Sequence, residues 1–370
     1  MDIAKIISEE IGCKQSQAEA AIKLIDEGNT IPFIARYRKE VTGSLDDEQL
    51  RILFQKLQYL RNLEERKQEV ISLIDEQGKL TEELKASILA AEKLVTVEDL
   101  YRPYKQKKKT RAEAAKKRGL QPLADFIMRQ DTDRPIEEEA AKYVTGKIET
   151  ASDSKEDAIK AAEKEVADTA AAIAGASDII AEQVSDNAEY REFIRDITRS
   201  EGKVRSEAKN SEAESVYQNY YDFEEGVEKI AGHRILAINR GEAEKILTVS
   251  IEAPLERILN YLGKKTLVSD NPYTTPVIKS AIADSYSRLI APSIEREIRN
   301  ELTDRAEDGA IDVFGKNLKQ LLLQPPIAGQ TVLGWDPAFR TGCKLAVVDP
   351  TGKVLDTIVI YPTEPQNKVE

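Results

Sequence analysis

The sequence predicts a mainly α protein: a multi-helix N-terminal region with helix-turn-helix-like elements, followed by the first strands of an α/β domain. Three observations lead there. Through most of the first 200 residues, apolar side chains recur in steps of three and four, the period that gathers them on one face of a helix. Aromatic residues make up only 6% of the chain, which argues against an all-β sandwich. After Gln324-Pro325-Pro326 the pattern turns to short β-branched runs parted by turn residues.

Ile3, Ile6 and Ile7 form a first stripe that ends near Gly12, and Ala18, Ala21, Ile22 and Ile25 form a second that ends at Gly28. Two short helices in that order suit a helix-turn-helix, and plain core packing explains them equally well. Ser44 stands where a helix cap belongs, with Asp46 and Asp47 in the first turn. Leu50, Leu53, Leu57 and Leu60, prolonged by Val70 and Ile74, give that helix roughly 45 Å of length before Gly78. Thr81 opens the next. The Ala- and Glu-rich stretch from Asp153 to Arg199 reads as helix again.

Around Gly202 the texture changes. Lys203 to Lys209 alternates like an exposed strand, and Ile246 to Ile251 is β-branched like another. Helices return from Pro276 to about Leu323, with Pro292 forcing a kink or break. Thr331 to Asp336, Cys343 to Asp349 and Val354 to Tyr361 then read as three strands in a meander, with Pro350-Thr351-Gly352-Lys353 as a turn. About forty residues cannot close a core unaided, so this last domain is expected to be cut short. The expected organisation is a helical domain over 1–200, a mixed then helical connecting segment over 201–325, and the truncated start of an α/β domain over 326–370.

Composition narrows the function. Over 370 residues, 41% are hydrophobic and 32% charged, a soluble globular balance. No apolar run approaches the roughly 18–20 residues that span a bilayer, and the start, Met1 to Lys5, has no secretory pattern. The expected place is the cytoplasm, without a membrane partner. Cys13 and Cys343 lie at opposite ends, and His233 is the single histidine. No disulfide framework, zinc site or histidine-based triad is therefore expected, and no cofactor or small-molecule substrate. His233, ahead of an apolar run, reads as a structural residue at a helix start.

The formal net charge is -12, which speaks against a polyanionic partner until its distribution is seen. Between Arg102 and Arg118 stand nine basic residues and one acid, Glu113: Arg102, Lys105, Lys107, Lys108, Lys109, Arg111, Lys116, Lys117 and Arg118. Pro103 prevents a continuous helix there, so these charges crowd a loop whose natural partner is the phosphate backbone of RNA or DNA. Tyr101 and Tyr104 are candidates to stack on bases. The competing reading is a solvated loop, or one docked on the acidic stretch from Glu137 to Glu165. A second candidate is Arg36, Arg38 and Lys39 around Tyr37, which suits phosphates or, equally, a core turn paired to acids such as Glu40. A third is Asp336. A strand-borne Asp before a turn is how ribonuclease-H-like folds begin a metal site, yet one carboxylate cannot hold two cations, and a turn-capping role competes.

These same residues carry a resemblance. Ile31-Pro32-Phe33-Ile34-Ala35-Arg36-Tyr37-Arg38-Lys39-Glu40-Val41-Thr42-Gly43 resembles a signature of the Tex family of bacterial transcription accessory proteins. Asp99-Leu100-Tyr101-Arg102-Pro103-Tyr104-Lys105, Tyr220-Tyr221-Asp222-Phe223 and the run from His233 to Glu242 are similar to the same family. Gly334-Trp335-Asp336-Pro337-Ala338-Phe339-Arg340-Thr341-Gly342 resembles the opening of its YqgF-type, ribonuclease-H-like domain, with Ala338 where Gly is expected. The resemblance implies helical N-terminal domains and a nucleic-acid-binding scaffold tied to transcription, with RNA polymerase as a suggested partner and no demonstrated nuclease activity. It also implies C-terminal helix-hairpin-helix and OB-fold parts that this chain does not reach.

Overall fold

The computed structural model describes residues 1–107, 110–145, 165–325, 327–338, 340–364 and 367–368. The first two apolar stripes are helices α1 (Ile3–Ile11) and α2 (Gln15–Asp26), joined in a helix-turn-helix shape. Asp2 caps α1 by accepting the Lys5 amide at 3.0 Å, and Gly12 closes it in the left-handed region. The exposed face of α2 carries Glu19 and Asp26 beside Lys23, with Glu27 at its end, so it lacks the basic character of a helix that lies in a DNA groove.

Short helices α3 (Ile31–Tyr37) and α4 (Lys39–Thr42) lead to α5 (Asp47–Asp75), about 43 Å long. The cap of α5 is Asp46 and not Ser44. The Asp46 carboxylate accepts the Gln49 amide at 2.8 Å and Gln49 accepts the Asp46 amide in return, while Ser44 sits at φ 67°. Leu50, Leu53, Leu57 and Leu60 bury against Ile7, Ala21 and Ile34 in one cluster. Further along, Leu63, Val70 and Ile74 bury against Ile88, Val97 and Tyr101 in another. Each such side chain stabilises the fold by roughly 1.5–3 kcal/mol relative to exposure. Lys67 lies on the same stripe and is wholly buried, its Nζ donating to the Leu89 carbonyl at 2.9 Å and pairing with Glu64 at 3.0 Å.

Thr81 caps α6 (Glu82–Ala90), and α7 (Leu94–Tyr101), α8 (Arg111–Lys117), α9 (Gln121–Arg129) and α10 (Ile136–Ala140) follow. The helix expected from Asp153 to Arg199 appears as α11 (Thr169–Ser185) and α12 (Ala188–Glu201); residues 153–164 lie outside the described ones. Strands β1 (Lys203–Ala208), β2 (Asp222–Gly226) and β3 (Leu247–Glu252) form an antiparallel sheet in the order β2-β1-β3, with Val204 opposite both Glu225 and Ile251. The strand read as exposed is thus the central one. Val204 and Ser206 are its buried side, and Ser206 donates to the Tyr220 carbonyl at 2.8 Å.

Next come α13 (Gly232–Ala243), with His233 exposed in its first turn, α14 (Leu255–Thr266), α15 (Thr275–Asp284) and α16 (Ala291–Leu322). Between α15 and α16, Ser285–Ile290 is a π-helical turn and Pro292 is the second residue after it. The wider turn carries the chain past the missing proline N–H, where a kink or break was expected.

The chain divides into two compact units, Met1–Ile230 with Ala237–Leu302, and Ala231–Leu236 with Thr303–Glu370. The second holds the expected meander: β4 (Val332–Asp336), β5 (Cys343–Val348) and β6 (Val354–Ile360), antiparallel in that order. Among the described residues no helix is long and apolar enough to cross a membrane.

Candidate nucleic-acid interface

The basic segment is not an open loop. Pro103 ends α7, a 3-10 turn over Arg102–Tyr104 follows, and from Arg111 the charges ride on α8, which Thr110 caps by accepting the Glu113 amide at 3.0 Å. Three of its cations reach back to α11. Lys107 donates to Asp186 and lies 3.6 Å from Glu182, Lys116 donates to Glu182 at 3.0 Å, and Arg102 lies 3.5 Å from Asp186. Among the described residues the acids that dock the segment are Glu182 and Asp186; of the stretch from Glu137 to Glu165, residues 146–164 lie outside the described ones. Lys108 and Lys109 also lie outside them. Lys105, Arg111, Lys117 and Arg118 are exposed, with Arg111 in electrostatic reach of Asp178 and Asp284.

Burial pushes the Asp186 carboxyl up, against the pull of Lys107. Burial works the same way on Glu182, but the Lys116 hydrogen bond and the Lys107 charge hold it below the usual glutamate range. Beside this pair opens a polar cleft of about 360 Å³, where Lys79 and Lys105 join Lys107 and Lys116. Lys79 was not singled out by the sequence. It arrives because Gly78 ends the run of α5 at a left-handed φ of 65°, and Gln77 donates to the Tyr104 carbonyl at 3.0 Å. Tyr101 is not available for stacking on bases: it is buried in the second α5 cluster, with the Arg66 guanidinium 5.5 Å from its ring centroid. Tyr104 packs half-buried against the same cluster.

The second candidate has the opposite character. Ile34 and Ala35 face the core, which turns Arg36 and Tyr37 outward, and Tyr37 is 61% exposed. The Tyr37 ring centroid lies 5.4 Å from that of Phe33, and the Arg38 guanidinium lies over the Phe33 ring at 5.0 Å. The loop beneath is fixed by Gln17, whose amide donates to the Gly43 carbonyl at 2.9 Å and the Thr42 carbonyl at 3.1 Å. Arg36, Arg38 and Lys39 have no carboxylate partner among the described residues, so the pairing with Glu40 does not form. The result is an outward-facing patch of aromatic and cationic groups. It sits on the Leu50 to Leu60 part of α5, and the polar cleft lies beyond the far end, about 25 Å along the helix.

Asp336 is exposed at the end of β4, opposite Lys344 on β5. Among the described residues no three His, Cys, Asp or Glu side chains gather to hold a metal ion.

Three family patterns match in chain order: the Tex-like protein N-terminal domain over residues 1–75, the Tex central region over 136–314, and the Tex protein YqgF-like domain over 330–370. The chain belongs to the Tex family. It is 49% identical to the uncharacterized protein YdcI of Bacillus subtilis (strain 168) over 98% of this chain. It is 39% identical to the transcriptional accessory protein Tex of Neisseria gonorrhoeae over 99%, and 31% identical to the S1 RNA-binding domain-containing protein 1 of Homo sapiens over 97%. The chain covers 49%, 47% and 36% of those three proteins, about half of their length or less.

Two of the Tex-like motifs now have physical roles. Ile31 to Gly43 is the α3–α4 patch. In the motif that starts at Asp99, the carboxylate is a buried anchor: it accepts Arg191 Nε and Arg195 Nη2, each at 2.6 Å. Arg191 also donates to Ser293 at 2.9 Å and Arg195 to Glu297, so one aspartate ties α7 to α12 and α16. Burial, with the nearby Arg191 charge, pulls the Arg102 guanidinium below its usual range. The basic turn thus stands on a buried, ion-paired base.

Proposed function

We infer that this Tex-family chain is a nucleic-acid-binding scaffold of a transcription accessory protein. It grips single-stranded nucleic acid, RNA foremost, by the phosphate backbone, and it works as a frame rather than an enzyme. The observation that carries the reading is the patch of Tyr37, Phe33, Arg36, Arg38 and Lys39, where an exposed ring lies among cations that no carboxylate of the described residues neutralises, in a chain of net charge -12. Such a patch offers a stacking face for any base and positive charge for phosphates. The basic segment, with Lys79 and Lys105 at its cleft, supplies a second contact further along α5. The names of the relatives support the reading: one is called a transcriptional accessory protein, another is called after an S1 RNA-binding domain. Binding to the transcription machinery, RNA polymerase included, in the cytoplasm belongs to the same proposal. Asp336 is kept as the candidate metal ligand of the YqgF-like part.

The test is a salt titration of affinity for a labelled mixed-sequence RNA, with the chain and its Arg36→Gln/Arg38→Gln/Lys39→Gln variant. Three phosphate contacts at about 0.7 each predict that the log–log slope flattens by about 2, similarly for all sequences. Equal slopes would overturn the role of the patch, and an absence of RNA binding at low salt would overturn the function.

A further inference from the structure

Helix α14 is held on one flank and open on the other. On the held flank, Tyr261 stacks on Phe193 of α12 with ring centroids 3.6 Å apart, and Lys265 pairs with Glu189 at 2.6 Å. Ile258 and Leu262 are fully buried beneath. The other flank, facing α15, leaves a groove of about 480 Å³ whose floor is Leu259, Leu267 and Ile282. Gly263 and Ala283 keep it wide, and a Cβ built on Gly263 would meet nothing within 4 Å. Among the described residues the charged groups lining it are Lys264 and Lys279, with no acid beside them. Both lysines are exposed and have no carboxylate partner among the described residues, unlike the neighbouring Lys265.

We propose that this groove docks an acidic amphipathic helix of a partner protein. Its aliphatic side chains enter between Leu259, Leu267 and Ile282, and its flanking carboxylates meet Lys264 and Lys279. The floor decides against nucleic acid, because it offers aliphatic side chains and no aromatic or guanidinium face for a base to stack on. The rim decides the charge. In a chain with 66 acids and 54 bases, a lining with lysines alone is a local reversal that an acidic partner matches. Spacing suits the shape: Leu259 and Gly263 stand one turn apart on α14 and Leu267 follows just past its end, a row of openings that a helix with anchors at i, i+3 or i+4, and i+7 can meet. The inference is independent of the nucleic-acid reading, since none of these residues belongs to the patch or the basic segment.

The probe is a labelled peptide of about 16 residues, four helical turns, with Leu at those anchor positions and Glu beside them. Its control carries Gln in place of Glu. Fluorescence anisotropy should show binding that Lys264→Glu/Lys279→Glu weakens at least about tenfold and that the Gln peptide lacks to a similar degree. Gly263→Leu should abolish binding by filling the groove, while raising rather than lowering thermal stability, because it removes a helical glycine with no neighbour to displace. RNA affinity should be the same for Gly263→Leu, and should fall in the lysine variant no more than when two exposed lysines outside the groove are reversed in the same way. No binding of the acidic peptide, or binding indifferent to both variants, would overturn the proposal. Loss of RNA affinity in the lysine variant beyond that control would assign the groove to nucleic acid instead.

Discussion

Neutralising two acids should make this chain bind RNA more tightly. Glu182 and Asp186 hold Lys107, Lys116 and Arg102, and Glu182→Gln with Asp186→Asn would release all three cations. The cation side chains are 33%, 23% and 38% exposed for Arg102, Lys107 and Lys116. The two carboxylates are only 10% and 12% exposed, but their amide replacements leave no buried charge behind and the cations keep a route to water, so the fold should stand without the pairs. Each released cation that meets a phosphate adds about 0.7 to the log–log salt slope on single strands, up to about 2 for three. Near 0.1 M salt, the same relation allows up to about a hundredfold gain in affinity. The assay is anisotropy of a labelled single-stranded RNA over a salt series, with circular dichroism to confirm the fold. A third protein adds Lys107→Gln and Lys116→Gln to the double variant. It should lose most of the gain, which separates released lysines from the mere removal of negative charge. An unchanged slope in a folded double variant would refute the reasoning, because the segment would then turn its cations away from nucleic acid.

Asp99→Asn should destabilise the chain by about 3–5 kcal/mol in urea unfolding, since it strands Arg191 and Arg195, whose side chains are 2% and 4% exposed; a loss under about 1 kcal/mol would show that the anchor is dispensable. Glu182 on α11 and Asp186 just past its end should give mirror-image pH profiles. The folded Glu182 carboxyl lies below its ordinary 4.5, so its contribution is full above that pH and fades as pH falls through the folded value; the stability gap to Glu182→Gln should close in acid. Asp186 is raised above its ordinary 3.8, so its contribution fades as pH rises through the folded value, and the gap to Asp186→Asn should move the other way. Finally, labelled RNA–DNA hybrids, branched DNA and single strands in Mg²⁺ or Mn²⁺ should stay intact; cleavage that vanishes in Asp336→Asn would reveal a nuclease.

Much of the fold was legible because its signals are local. The stripe from Leu50 to Ile74 needed only a helical period, and Thr81 and Pro103 act on their own neighbours. What escaped depends on pairings between distant residues. Lys107 and Asp186 are 79 positions apart and Lys116 and Glu182 are 66, so the charges were countable and their neutralisation was not. β1 alternates like an edge strand, and only its registration with both β2 and β3 makes it central. Tyr101 beside a basic run looks like a stacking residue until the second α5 cluster closes over it. The buried Lys67 is a further case: its partner is a backbone carbonyl, which no side-chain pattern announces. For the patch at Tyr37 the residues were visible, but the absence of a carboxylate partner among the described residues was not.

The two clusters strung along α5 make that helix a rotary gauge between them. A single residue inserted between Leu60 and Leu63 would turn everything beyond by about 100°, carrying Leu63, Val70 and Ile74 off the face that Ile88 and Val97 cover. Seven inserted residues would restore the angle to within about 20° but slide the second cluster about 10 Å away from the first. Loops elsewhere in the chain can change length at modest entropic cost. Within α5, chain length and angular phase are one variable, so insertions and deletions have almost nowhere to go.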